Sequence, residues 1–308
     1  MIARSALDLI GETPIVELSR IHAGPGRILA KAEFLQPGGS VKDRVARKAI
    51  ELAYQDGRLR PNQPVVEMTS GNMGSALAAV CAVTGNPFIA TMSEGNSPER
   101  AKMMRGLGAE VILVPQVDGS PGKVTGKDIG AAIQLAIQVA KEQNAFYVDQ
   151  FNNPASIIAH EQTTGPEIWR AVGRDLSAFV AAVGSGGTFV GAARYLKSQN
   201  PTIVCAPVEP AGAEILAGRP VTKADHILQG TGYGLTPPLW QAILADLFLS
   251  VTDEEASAMR ADLGQREGLY VGLSAAANVC AAKKLIETGR LGASPTVVTI
   301  LCDTGLKY

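Results

Sequence analysis

What most constrains the fold of this chain is a sustained alternation between residues 28 and 301, in which short apolar, β-rich runs give way to stretches of helical periodicity. The expected strands are Ile28–Phe34, Val65–Thr69, Pro87–Met92, Glu110–Val114, Ala145–Asp149, Ala178–Val183, Thr202–Glu209 and Thr296–Leu301. Helical patterns lie between them at Asn72–Val83, Pro98–Leu107, Ile129–Lys141, Glu161–Val172, Phe189–Lys197, Glu254–Glu267 and Ser274–Glu287. Strands separated by helices pair in parallel, with helices on both faces of the sheet. Several of the runs are continuously apolar, as strands buried on both faces are. Two sheets of about four strands each accommodate the pattern better than one large sheet.

The 308 residues suffice for two domains or one large α/β unit with a substantial core. With 46% apolar and 19% charged residues, a soluble globular protein is expected. The net charge of −1 and the lack of a Lys/Arg run argue against nucleic acid or an anionic membrane as partner. Met1–Ser5 shows no apolar leader, and Ala76–Val83 is too short to span a bilayer. Cys81, Cys205, Cys280 and Cys302 stand far apart in apolar segments. Buried thiols in a reducing cytoplasm are therefore expected, rather than zinc or disulfides. His22, His160 and His226 share no ligand spacing, so structural roles and no metal are expected.

Chemistry concentrates in a few segments. Ser40-Val41-Lys42-Asp43-Arg44 follows Gly38-Gly39 and opens an amphipathic helix. A lysine there can condense with an aldehyde to form a Schiff base, although most lysines at helix starts are merely solvated. Gly184-Ser185-Gly186-Gly187-Thr188 joins a strand to a helix, where glycines let backbone N–H groups approach an anion. Glu209 lies where the ribose-binding acid of a dinucleotide site would, but Phe189 replaces the third glycine of that fingerprint. Thr69-Ser70-Gly71-Asn72-Met73-Gly74 suits a carboxylate at a helix start, or is simply a capped turn. Ser274, after Gly272-Leu273, is most simply an N-cap. Ala276 breaks the G-x-S-x-G pattern, and no histidine and acid complete a triad. Gly230-Thr231-Gly232-Tyr233-Gly234 reads as a loop approaching a ligand, within an aperiodic stretch from Ala211 to Pro238.

Taken in order, these segments resemble the cysteine synthase (O-acetylserine sulfhydrylase) and cystathionine β-synthase family of fold type II pyridoxal phosphate enzymes. Gly11-Glu12-Thr13-Pro14, Gln150-Phe151-Asn152-Asn153-Pro154, Thr163–Trp169, Val208-Glu209-Pro210 and Gln229–Pro237 extend the resemblance over nearly the whole chain. It implies a tryptophan synthase β-like α/β fold: two three-layer domains with mostly parallel sheets and pyridoxal 5'-phosphate in the cleft between them. Residues 43–147 are expected as the smaller, mobile domain, and residues 1–42 and 148–308 as the larger, cofactor-binding one.

The resemblance also implies roles. Lys42 would hold the cofactor and move the α-proton, and Gly184, Ser185, Gly186, Gly187 and Thr188 would seat its phosphate. Asn72 would bond the ring oxygen and Ser274 would face the pyridine nitrogen. Thr69, Ser70, Met73 and Gln150 would line the amino acid carboxylate. A neutral Ser274 favours β-elimination over transamination. The implied reaction is O-acetyl-L-serine plus sulfide giving L-cysteine and acetate through an α-aminoacrylate. Met73 replaces a usual threonine, Tyr233 a frequent alanine and Ala275-Ala276 a usual Ser-Gly, and the ending Asp303–Tyr308 also departs. A cystathionine β-synthase-like or diaminopropionate-type replacement is thus an alternative. So is a non-catalytic partner of a serine acetyltransferase, and, from another class, a nicotinamide oxidoreductase. The family implies a homodimer.

Overall fold

A computed structural model describes residues 2–122 and 124–307. Along the first half run β1 (Ile15–Glu17), β2 (Arg27–Lys31), α1 (Lys42–Gln55), β3 (Val65–Met68), α2 (Asn72–Thr84), β4 (Phe88–Ser93), α3 (Pro98–Gly106), β5 (Glu110–Val114), α4 (Gly126–Glu142) and β6 (Phe146–Tyr147). The second half holds α5 (Ala155–Ala159), a π-helical turn at His160–Thr164, α6 (Gly165–Val172), β7 (Leu176–Ala182), α7 (Gly187–Gln199), β8 (Val204–Pro210), β9 (Leu249–Val251), α8 (Asp253–Glu267), α9 (Leu273–Glu287) and β10 (Thr296–Ile300).

Two compact units emerge. The first comprises the residues up to Ile10, Gln36–Ala155 and Lys307. Its sheet has the order β5-β4-β3-β6, parallel throughout. Val65 of β3 and Phe88, Ala90 and Met92 of β4 pack with α1, α2 and α3. Val66, Met68 and Ile89 point the other way, onto Ala132, Ala136 and Val139 of α4. Successive strand residues face opposite sides, and here both sides are buried, which is why these strands read as unbroken apolar runs. Helix α4 starts at a capping box: Thr125 Oγ1 accepts from Asp128 N–H, and the Asp128 carboxylate accepts from Thr125 N–H. Hydrogen bonds from the backbone N–H groups of Thr125, Val117 and Asp118 hold the Asp128 carboxyl well below the usual carboxylate range.

The second unit comprises Gly11–Leu35 and Ser156–Leu306. Its sheet has the order β1-β2-β10-β7-β8-β9, with only β1 antiparallel to its neighbour. One face packs on α8 and α9 through Ile28, Ala30, Ala178, Val180, Val208 and Val297. On β7, Phe179 faces the opposite way, its ring 6.1 Å from Phe189 of α7, which in turn lies 5.5 Å from Trp240. Lys31 of β2 and Glu167 of α6 form a buried ion pair at 2.7 Å. Lys31 also donates to Thr13 O, and Glu167 accepts from Glu12 N–H.

The strand alternation holds, with mostly parallel sheets, but the sheets contain six and four strands. The additional β1 and β9 are three residues long, too short to carry a period. The units also divide the chain elsewhere than at residues 43 and 147. Leu7 and Ile10 pack against the apolar cluster of the first unit, and Lys307 bonds to it. Cys81, Cys205 and Cys280 are buried as expected, whereas Cys302 is only partly so. Among the described residues no helix is long and apolar enough to cross a membrane.

Candidate active site

In the first unit, Lys42 is the first residue of α1, and its N–H donates to Ser40 Oγ. The turn before it is shaped by Asp43, whose Oδ2 accepts from Gly38 N–H at 3.0 Å and Ser40 N–H at 3.4 Å. A Cβ on Gly38 would overlap that carboxylate, and Gly39 has φ +73°. The glycines therefore let the Asp43 carboxylate close the turn that presents Lys42.

Helix α2 packs beside α1 and begins at Asn72, with Gly71 as its N-cap. Thr69 N–H donates to Thr91 O, and Ser70 O accepts from the Arg100 guanidinium, so the approach to the helix is pinned. The first turn leaves N–H groups pointing outward, the arrangement that receives a carboxylate. Lys307 ties the two helix starts together. Its Nζ donates to Gly38 O at 2.6 Å, Asn72 Oδ1 at 2.8 Å and Ser75 Oγ at 3.3 Å. An ammonium accepts nothing, so the oxygen of the Asn72 amide faces it and Nδ2 faces the other way. Sequence reasoning missed Lys307, noting only that the chain's ending was unusual.

Gln150 Nε2 donates to Met68 O at 3.1 Å, beside Thr69, and its N–H donates to Glu67 Oε2 at 3.3 Å. Burial pushes the Glu67 carboxyl up to about 8, against the pull of the backbone N–H groups of Gln150 and Asp149. Met73 is 2% exposed and its side chain packs in the apolar core with Leu77 and Met104. What Met73 brings to the helix start is its backbone N–H.

In the second unit, Gly184-Ser185-Gly186-Gly187-Thr188 leads from β7 into the 13-residue helix α7. A Cβ on Gly184 would overlap Gly230 O, and one on Gly187 would lie 2.5 Å from Ser156 Cβ. Gly186 has φ +94°. Only glycine fits these positions, and the result is a cradle of backbone amides at a helix N-terminus, suited to a phosphate. The Thr188 hydroxyl stands beside the buried His160, with Oγ1 3.2 Å from Nε2. Ser274 is the second residue of α9 and does not cap it; the N-cap is Gly272. Its Oγ donates to Gln229 O at 3.4 Å, so Gln229-Gly230 lies between Ser274 and Gly184 and joins the two halves of this cluster. Gly230, Gly232 and Gly234 all have positive φ, and the loop they shape does press on the glycine cradle.

Glu209 is engaged elsewhere than a ribose site would need. Its carboxylate accepts from Leu216 N–H at 2.7 Å and Ala217 N–H at 3.1 Å, pinning the aperiodic stretch that follows β8. His22 and His226 bond the backbone carbonyls of Pro25 and Gly232. No group of His, Cys, Asp and Glu among the described residues is arranged to hold a metal ion.

The sequence profile of the pyridoxal-phosphate dependent enzymes matches residues 6–303, and the chain belongs to that family. It is an enzyme of the cysteine synthase type with a fold type II architecture, and its cofactor is pyridoxal phosphate. It is 36% identical to the cysteine synthase of Staphylococcus aureus over 97% of this chain and 93% of that one. Among solved structures, a hydrogen sulfide-producing enzyme from Fusobacterium nucleatum superposes with a TM-score of 0.91 and 33% identity, covering all of this chain and 98% of the other. The O-acetylserine dependent cystathionine β-synthase of Helicobacter pylori gives 0.88 and 36%, covering all of this chain and 97% of the other. The groups present are of the kinds such a cofactor needs: the first unit offers a lysine and an amide at paired helix starts, and the second a glycine cradle suited to a phosphate and a neutral hydroxyl at the start of α9.

Proposed function

We propose that this enzyme replaces the acetate of O-acetyl-L-serine with sulfide, giving L-cysteine. Lys42 holds the cofactor aldehyde, Gly184–Thr188 hold its phosphate, Asn72 its ring oxygen and Ser274 its ring nitrogen. When bound, pyridoxal phosphate supplies the electron sink that makes the proton next to the amino group removable. Lys42 carries that proton as general base and returns it after the nucleophile has added. Thr69, Ser70, the first N–H groups of α2 and Gln150 receive the substrate carboxylate.

The observation that carries this reading is the pairing of two helix starts in the first unit. Through Lys307, the turn that presents Lys42 and the anion-receiving start of α2 share one ammonium. Carbonyl chemistry and carboxylate binding are thereby held side by side. The test is product analysis with O-acetyl-L-serine and sulfide, in which acetate and cysteine should appear in equal amounts. Acetate release without cysteine would move the assignment to another nucleophile. No acetate release from this donor would overturn it.

A second reading, in which a thiol amino acid or an amine replaces sulfide, is favoured by Tyr233. That residue lies on the loop that presses against Gly184, lines the same pocket as Gly184, and has a phenol that burial pushes up to about 12. Competition between sulfide and homocysteine for one donor separates the two. We place the reaction in an assembly of two identical chains and in the cytoplasm, in line with the family; mass photometry and fractionation test these points.

A further inference from the structure

The phosphate cradle has a second layer that the proposed reaction does not use. Gly187 and Gly191 stand one above the other on α7, four residues apart. A Cβ on Gly187 would meet Ser156, and one on Gly191 would overlap Ile157 O and lie 2.8 Å from His160 Cβ. This glycine stripe lets the segment from Ser156 into the π-helical turn press against α7. The turn carries one extra residue per loop, a distortion that concentrates at functional sites.

The contact sets His160 beneath Thr188. His160 Nε2 lies 3.2 Å from Thr188 Oγ1, and Nδ1 lies 2.8 Å from Thr164 Oγ1. His160 and Thr164 are both 0% exposed. The neighbouring Thr163 hydroxyl donates back to Ala159 O, the usual habit of a helical threonine, whereas the Thr164 hydroxyl meets the ring.

A neutral imidazole carries one N–H, so this row of three groups has a direction. With the proton on Nδ1, the ring donates to Thr164 and Nε2 accepts a hydrogen bond from the Thr188 hydroxyl, leaving Thr188 no O–H to give an anion. With the proton on Nε2, Thr164 donates to Nδ1, the ring donates to Thr188 Oγ1, and the Thr188 O–H points onward as a donor. A phosphate dianion rewards the second arrangement, because hydrogen bonds to charged acceptors are the stronger ones.

We propose that His160 is a positioning residue, held as its Nε2–H tautomer between Thr164 and Thr188, which turns the Thr188 hydroxyl into a donor toward the cofactor phosphate. The proposal rests on reading Gly184–Thr188 as the seat of that phosphate. Ring-nitrogen NMR of histidine-labelled holoenzyme tests it directly, since the chain has only three histidines. The signal lost in His160→Gln should show a protonated Nε2 and a bare Nδ1. A proton on Nδ1 overturns the proposal while leaving the phosphate seat standing.

A double-mutant cycle read by equilibrium dialysis of pyridoxal phosphate is the second arm. Thr188→Val and His160→Leu should each weaken cofactor binding by about tenfold, the scale of one lost hydrogen bond to a charged group. His160→Leu should add little in the Thr188→Val background, and His160→Gln, whose amide can donate near the position of Nε2, should recover most of the loss. Equal weakening by His160→Leu in both backgrounds would mark the ring as mere packing and overturn the proposal. Unchanged binding in Thr188→Val would remove the phosphate seat itself. Should His160→Leu fail to fold, the tautomer in the unaltered enzyme decides alone.

Discussion

At the scale of single residues, the polar groups that matter are held by a neighbour of opposite character or by burial. Lys307 orients Asn72 by charge, so Lys307→Met should weaken pyridoxal phosphate binding several-fold while leaving the fold intact, as read by dialysis and circular dichroism. Unchanged affinity would show that the amide needs no such anchor. Glu67 is held by burial, and its carboxyl titrates near 8 instead of 4.5. Between those values the folded chain keeps a proton that the unfolded chain has lost. Stability therefore falls as pH rises through that window, by up to about 1.4 kcal/mol per pH unit. Glu67→Gln has no proton to lose, so its advantage over the unaltered protein should grow from about pH 5 to about pH 8 in urea titrations; parallel curves would contradict this. The helix-start settings of Lys42, Asn72, Ser274 and the glycine cradle were legible because each is a local pattern, while their proposed roles await the tests above. Lys307 and the pairing of His160 with Thr188 were not legible, since each acts across more than twenty residues of sequence. Met73 illustrates the opposite failure: the substitution reads as a change of site chemistry, yet the side chain turns into the core.

At the scale of elements, close approach is set by small residues and fixed by buried charge. The contact of α7 with the π-helical turn leaves no room at Gly191, where the obstacle is backbone. Gly191→Ala should cost about 1–3 kcal/mol by denaturant unfolding, the range for overpacking a tight contact; a neutral effect would mean that the helix shifts freely. The Lys31–Glu167 pair joins β2 to α6 with almost no exposure. Lys31→Met leaves a buried carboxylate without its cation and should cost about 3–5 kcal/mol, part of it recovered by adding Glu167→Gln. A cost below about 1 kcal/mol would show that Glu167 readily finds another partner or water. Long elements were readable from the sequence because a strand buried on both faces is continuously apolar and a helix repeats its apolar positions. Strands β1 and β9 escaped, because three residues carry no period, and β9 owes its pairing to β8, about forty residues before it.

At the scale of the whole molecule, each unit has its own sheet and apolar core, and the residues proposed to hold the cofactor are Lys42 and Asn72 in one and Gly184–Thr188 and Ser274 in the other. A ligand that binds only the folded chain stabilises it by mass action, so loading with pyridoxal phosphate belongs in any comparison of variants. The boundaries of the units were the least legible feature, because Leu7, Ile10 and Lys307 join the first unit from the chain's two ends. The most direct measurement is the visible absorption spectrum of the purified enzyme, taken before and after O-acetyl-L-serine and again after sulfide. A cofactor band that changes on adding the donor and returns on adding sulfide, with cysteine formed, is the expected result. A cofactor band indifferent to O-acetyl-L-serine would contradict the assigned reaction, and retention of the full response in Lys42→Ala would contradict the assigned lysine.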